Sequence, residues 1–145
     1  MRACLLGLAL AWVIVACGGV QQPRHAKRYD AMTEITQLWT QIRDWRREAG
    51  LRVEPTPEAI VQMRKRDVQD AMKACPENHP VTKACEDVCS LANAICDNAE
   101  AICEIADQLG KDDDQAQEKC ASAKASCREA KQRCCQKCSE EETAP

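Results

Sequence analysis

The sequence predicts an all-α fold: a small disulfide-stapled helical bundle in which two amphipathic helices cover a long antiparallel helical hairpin. Three observations predict it. The first is arithmetic. Cys85 and Cys138 have position numbers adding to 223, and so do Cys89 and Cys134, Cys96 and Cys127, and Cys103 and Cys120. A constant sum marks an antiparallel pair, because a step forward on one arm is a step back on the other. The second is a period. Cys89, Cys96 and Cys103 recur every seven residues, as do Cys120, Cys127 and Cys134. Seven residues make about two helical turns, so each set stands on one face; on a strand the odd spacing would alternate faces. The third is an alanine stripe. Ala92, Ala99, Ala106, Ala123 and Ala130 each follow a cysteine by three. A disulfide needs Cα atoms within about 7 Å, closer than the roughly 8–10 Å of ordinary packed helices, and alanine permits that approach. Beside the cysteines, Val88, Ile95, Ile102 and Leu109 form a stripe that should face another part of the protein.

Composition points the same way. The 145 residues amount to one domain, with 30% charged residues, 3% aromatics and no Phe. Such a chain builds a small apolar core, and cysteine stands in for the missing part. Five bridges would each stabilise the fold by roughly 2–4 kcal/mol in the chain-entropy account, which is model-dependent. They require an oxidising compartment, so an export signal is expected.

The amino terminus supplies one. A short basic start precedes an apolar run from Leu5 to Ala16, too short for a comfortable membrane span. The run ends Ile14-Val15-Ala16-Cys17, followed by Gly18-Gly19. This resembles the lipobox of bacterial lipoproteins, and the resemblance covers the first 19 residues. It implies removal of residues 1–16, lipid on the Cys17 sulfur, acylation of the new amino terminus, and membrane association through more than one acyl chain. Gly18 after the lipid cysteine implies the outer membrane. Cys4 would leave with the signal peptide.

Residues 17–29 lack periodicity and read as a lipidated terminus and flexible tether. Residues 30–75 read as two amphipathic helices. In the first, Met32, Ile35, Trp39, Ile42 and Ala49 lie on one face, with Leu38 and Trp45 flanking; Asp30 can cap it and Gly50 can end it. The second opens Thr56-Pro57-Glu58, a cap, a first-position proline and an acid. Its apolar side is Ile60, Met63, Val68, Ala71, Met72 and Cys75, and Pro76 and Pro80 close it. The two helices should cover the Val88–Leu109 stripe.

Residues 76–139 contain the stapled hairpin. Its bend is expected at Leu109–Gln115, where Gly110 suits a left-handed helix end and Asp112 can cap the next helix with Gln115 as its capping-box partner. Setting aside Cys4 and Cys17 leaves ten cysteines. Eight form the ladder, and Cys75 and Cys135 pair by elimination. A swap, Cys75 with Cys138 and Cys85 with Cys135, stays open because the course of residues 75–85 decides between them. Residues 140–145 read as an acidic tail.

Charge is divided between the halves. Residues 18–75 hold eleven Lys/Arg against eight Asp/Glu, and residues 76–145 hold eight against fifteen. The halves can attract each other when packed. The basic residues Arg43, Arg46, Arg47 and Arg64-Lys65-Arg66 read as solvated helix faces ahead of a polyanion or lipid contact.

No catalytic constellation stands out, and no enzyme activity, cofactor, resident metal, small-molecule substrate or nucleic-acid partner is expected. His25 in the tether and His79 in a Pro-flanked turn lack partners in sequence, and Asp112-Asp113-Asp114 lacks the alternation of a calcium loop. The cysteines have a second reading as thiolates for soft metals such as Cu(I), similar to exported bacterial copper-storage bundles; matched pairs with alanine between favour bridges. Redox work is disfavoured because no Cys-x-x-Cys opens a helix. The paired Cys-x-x-x-Cys of Cys85/Cys89 and Cys134/Cys138 resembles plant α-hairpinins and mitochondrial intermembrane-space chaperones, whose connectivity is outer to outer and inner to inner. Residues 85–138 also resemble uncharacterised cysteine-rich lipoproteins of myxobacteria, which implies a cell-envelope address. The expectation is a lipid-anchored envelope protein, structural or binding in role, with Trp39 and Trp45 as the surface to inspect for a protein partner. A helical-hairpin protease inhibitor is the remote third reading.

Overall fold

The computed structural model describes residues 24–75 and 82–142. The expected signal peptide, Cys17, the start of the tether, His79, Pro76 and Pro80, and the last three residues lie outside the described residues. The described chain forms five helices and no strand: α1 (Arg24–Glu48), α2 (Pro57–Met63), α3 (Val68–Met72), α4 (Lys83–Leu109) and α5 (Asp114–Glu142).

The hairpin of α4 and α5 is the spine. Cys85–Cys138, Cys89–Cys134, Cys96–Cys127 and Cys103–Cys120 are bridged, the four pairs of constant sum, and Cys75–Cys135 ties on the segment after α3. The hairpin bridges hold Cα atoms 4.6–4.8 Å apart. Helices reach that separation only where the facing side chains are small, and Ala92, Ala99, Ala106, Ala123 and Ala130 are all buried between the arms.

The bend is built one residue later than expected. Asp113, rather than Asp112, caps α5, its Oδ1 accepting from the Ala116 amide at 3.2 Å. Gly110 ends α4 with φ +103° and ψ 160°, a positive φ outside the left-handed helical basin. Gln117, on the first turn of α5, donates from its side chain to the Ala106 and Gly110 carbonyls, which also accept the Gly110 and Asp113 amides, and so ties the start of α5 to the end of α4.

α1 packs on α4, where Ile95 and Ile102 of the expected stripe are wholly buried and Val88 and Leu109 half-buried. Burying an isoleucine side chain is worth about 1.5–3 kcal/mol. α2 and α3 lie chiefly on α5, so the stripe is covered by one helix rather than two. α5 consequently has neighbours on several sides: five consecutive residues, Ala123 to Cys127, are buried. Its small residues make this possible, since alanine and serine leave room for a neighbour at every angle.

Three boundaries differ from the sequence expectation. α1 begins at Arg24, inside the expected tether, because Arg28 is held to the hairpin bend: its Nε and Nη2 reach the Asp113 carboxylate at 2.6 and 3.1 Å, and Nη2 also reaches Gln115 at 3.2 Å. His25 is therefore helical and exposed. The expected second helix is two, broken at residues 64–67. A continuous helix would turn Val68 about 140° from Met63; the break restores both to the core, with Met63 1% and Val68 7% exposed. Asp67 caps α3 through the Gln69 amide at 3.3 Å. Finally, α5 runs through Ser139 to Glu142, so the acidic tail starts as helix.

Candidate functional site, a sulfur cluster at the open end of the hairpin

Helical spacing gathers three bridges at the end of the hairpin remote from the bend. Cys85 and Cys89 are one turn apart on α4, and Cys134 and Cys138 one turn apart on α5. Cys135 is the next residue after Cys134, about 100° further round the helix, and so meets Cys75 beyond α3 instead. Thr82 fixes the start of α4, its Oγ1 accepting from the Cys85 amide at 3.2 Å.

The sulfurs of different bridges are in contact. Cys75 Sγ lies 3.7 Å from Cys134 Sγ, and Cys89 Sγ lies 3.5 Å from Cys138 Sγ. The sulfurs run Cys135–Cys75, Cys134–Cys89, Cys138–Cys85, each bridge touching the next. Burial varies along this row. Cys75, Cys85, Cys134 and Cys138 are 1–3% exposed, whereas Cys89 and Cys135 are half-buried. A groove of about 570 Å³ opens beside it, lined by Met72, Lys73, Cys75, Cys96, Asp97 and Lys131 among others. The buried Lys131 ammonium donates to Asn93 Oδ1 at 2.6 Å across the groove.

The sulfurs of Cys85, Cys89 and Cys138 lie within 4.8 Å of one another, close enough for one cation. Each is bonded to another sulfur. A bridged sulfur is a poor metal ligand, since the thiolate is the ligand form, but it is an electrophile toward an incoming thiolate.

The tryptophans, named above as the place to look first for a binding surface, pack on the core. Trp39 is 5% exposed in the core, with the Lys119 ammonium 5.0 Å from its ring centroid, and Trp45 is half-buried against the core. Four of the six basic residues singled out above are matched by acids. Arg43 pairs with Glu54, Arg47 with Asp44, and Arg64 with Glu118. Arg46 is no face residue at all: it is 1% exposed and paired with Glu129. Pairs joining the basic half to the acidic hairpin (Arg28–Asp113, Arg46–Glu129, Arg64–Glu118) realise the expected attraction between the two.

A second groove, about 940 Å³, lies near the bend between Arg64–Val68 and the hairpin. Its walls mix Lys65 and Lys111 with Asp107 and Asp114, so it presents no single sign of charge. Lys124 lies in its floor and donates to the Arg66 carbonyl at 2.6 Å. Burial pushes the Lys124 ammonium pKa below its ordinary value, against the pull of Asp67 and Asp107.

Sequence reasoning missed Arg46, Lys124 and Lys131 as interior cations. A signal existed for each. Arg46 continues the four-three spacing of Ile35, Trp39 and Ile42, and Lys124 and Lys131 each follow a ladder cysteine by four. No helix of the described residues is long and apolar enough to cross a membrane. No protein-family model matches the chain, and no curated protein or solved structure shows significant similarity to it.

Proposed function

We propose that this is an exported, lipid-anchored protein of the cell envelope, a non-catalytic structural or binding module probed best as a scaffold rather than as an enzyme. The observation that carries the reading is the state of the cysteines: all ten among the described residues are bridged. Such a set forms and persists outside a reducing cytosol. The anchor rests on Ile14-Val15-Ala16-Cys17, with lipid on Cys17 and the outer membrane as the address. The interior cations, buried alanines and matched ion pairs serve rigidity, and rigidity suits a module that must hold its shape next to a membrane.

The test is the intact mass and membrane partition of the protein purified from its own envelope. The expected result is an amino terminus at Cys17 carrying acyl chains, with membrane association lost in Cys17→Ala. An unacylated terminus elsewhere, or a wild-type protein recovered entirely in the soluble fraction, overturns the anchor. Eight or more free thiols in the protein as isolated, especially with bound copper, would overturn the bridged scaffold and bring forward soft-metal binding.

A further inference from the structure

We propose that the open-end cluster is a thiol–disulfide exchange site, in which attack by an external dithiol creates a new bridge between Cys75 and Cys134 and leaves Cys89 and Cys135 as thiols. The inference does not depend on the lipid anchor. It rests on two features of the row of sulfurs. The inner sulfurs of neighbouring bridges touch, Cys75 to Cys134 at 3.7 Å. Their outer sulfurs belong to Cys135 and Cys89, the two residues of the row that are half-buried rather than buried.

The chemistry balances. A thiolate of the external dithiol attacks Cys135 Sγ, forming a mixed disulfide and breaking the Cys75–Cys135 bond, and the electron pair goes to Cys75 Sγ. Cys75 is buried against Cys134, so the nearest electrophile is already in contact. Its thiolate attacks Cys134 Sγ; the Cys75–Cys134 bond forms, the Cys89–Cys134 bond breaks, and Cys89 leaves with the pair and takes a proton. The second thiol of the dithiol then resolves the mixed disulfide, releasing Cys135 as a thiol and leaving as a cyclic disulfide. Two bridges and one dithiol become one bridge, two protein thiols and one oxidised dithiol. Two electrons and two protons are transferred.

Lys73, Lys131 and Asp97 line the groove with Cys75, and Lys73 also pairs with Asp70 at 3.6 Å, so charges of both signs stand around it. Cys89 also touches Cys138 at 3.5 Å. A third exchange there would free Cys85, which is 3% exposed. The sequence stops at Cys89, which is half-buried. Cys75 is as buried as Cys85 but touches a bridge that takes up its thiolate at once, whereas Cys85 ends the row and would have to stay free in the interior, where burial penalises the charged form. The exchange keeps the segment after α3 attached to α5, because Cys134 and Cys135 are neighbours. The hairpin retains Cys85–Cys138, Cys96–Cys127 and Cys103–Cys120.

The experiment treats the bridged protein with one equivalent of dithiothreitol, quenches with acid, caps free thiols and maps peptides. The expected product carries caps on Cys89 and Cys135 and a Cys75–Cys134 bridge. Caps on Cys75 with Cys135, on Cys89 with Cys134, or on any other pair overturn the proposal. In the Cys89→Ser/Cys134→Ser variant no acceptor remains for Cys75. One equivalent should then cap Cys75 and Cys135, whereas failure of that bridge to open would remove Cys135 as the entry point and overturn it as well.

Discussion

Arg46 and Glu129 meet in the interior of the bundle, with Nη2 2.7 Å from Oε2 and the two side chains 1% and 16% exposed. The pair is the centre of a joint. Arg46 Nε donates to the Arg52 carbonyl at 2.8 Å, and the other Glu129 oxygen accepts from both the amide and the hydroxyl of Thr56. One arginine and one glutamate therefore fix the end of α1, the connection that follows, the cap of α2 and the middle of α5. Arg46 Nη1 is buried without a hydrogen-bond partner.

Removing one member of the pair leaves the other charge buried. Glu129→Gln should destabilise the fold by about 3–5 kcal/mol, read as a lowered urea midpoint. Arg46→Met combined with Glu129→Leu should cost less than the sum of the two single changes, because no uncompensated charge remains. Additive costs in that cycle would show that the two groups do not interact.

Close approach of the hairpin arms depends on alanine. Ala99 is wholly buried in a hairpin whose bridged Cα atoms are 4.6–4.8 Å apart. Ala99→Leu should cost about 1–3 kcal/mol by overpacking, and it should raise the fraction of molecules with unpaired Cys96 and Cys127 after oxidative refolding. Refolding yield and thiol counts equal to those of the wild type would contradict this account.

The bridge nearest the bend can be removed without disturbing the rest. Cys103 and Cys120 are 17 residues apart, and a bridge closing a loop of that size contributes about 3 kcal/mol in the chain-entropy account. Cys103→Ala/Cys120→Ala should lower stability by that order while the other four bridges keep their partners. Full reduction should abolish most of the far-ultraviolet helical signal, because the apolar core is small.

The Arg28–Asp113 contact gives acid a specific target. The Arg28 guanidinium hydrogen-bonded to Asp113 holds that carboxyl below its ordinary value. A lowered folded-state value means the contribution is present above the unfolded pKa, about 3.9, and is lost as pH falls through the lower folded one. Arg28 is exposed, so the energy is small. A carboxyl-carbon NMR titration should give Asp113 a midpoint below the ordinary range, and Arg28→Gln should raise it while speeding amide exchange at the start of α1.

The hairpin was the most legible part of the molecule. The eight ladder cysteines obey a constant sum, and the six from Cys89 to Cys134 a seven-residue period as well, and both are properties of residues within or across two regular helices. The inward face of α1 and the cap at Thr56 were legible for the same reason, since helical period and capping are local. Asp67 caps α3, and the break it serves is required only because Met63 and Val68 must reach the same core.

What the sequence by itself determined is therefore the all-helical character of the chain, its hairpin and the bridges between the two longest helices. Tertiary structure alone decided that Arg46 pairs with Glu129, that Arg28 extends α1, that α2 and α3 rest on α5, and that Cys75 touches Cys134. The physical reason is range. Periodicity places side chains around one helix axis, whereas a buried ion pair or a contact between two bridges exists only once separate helices have chosen their distances and angles.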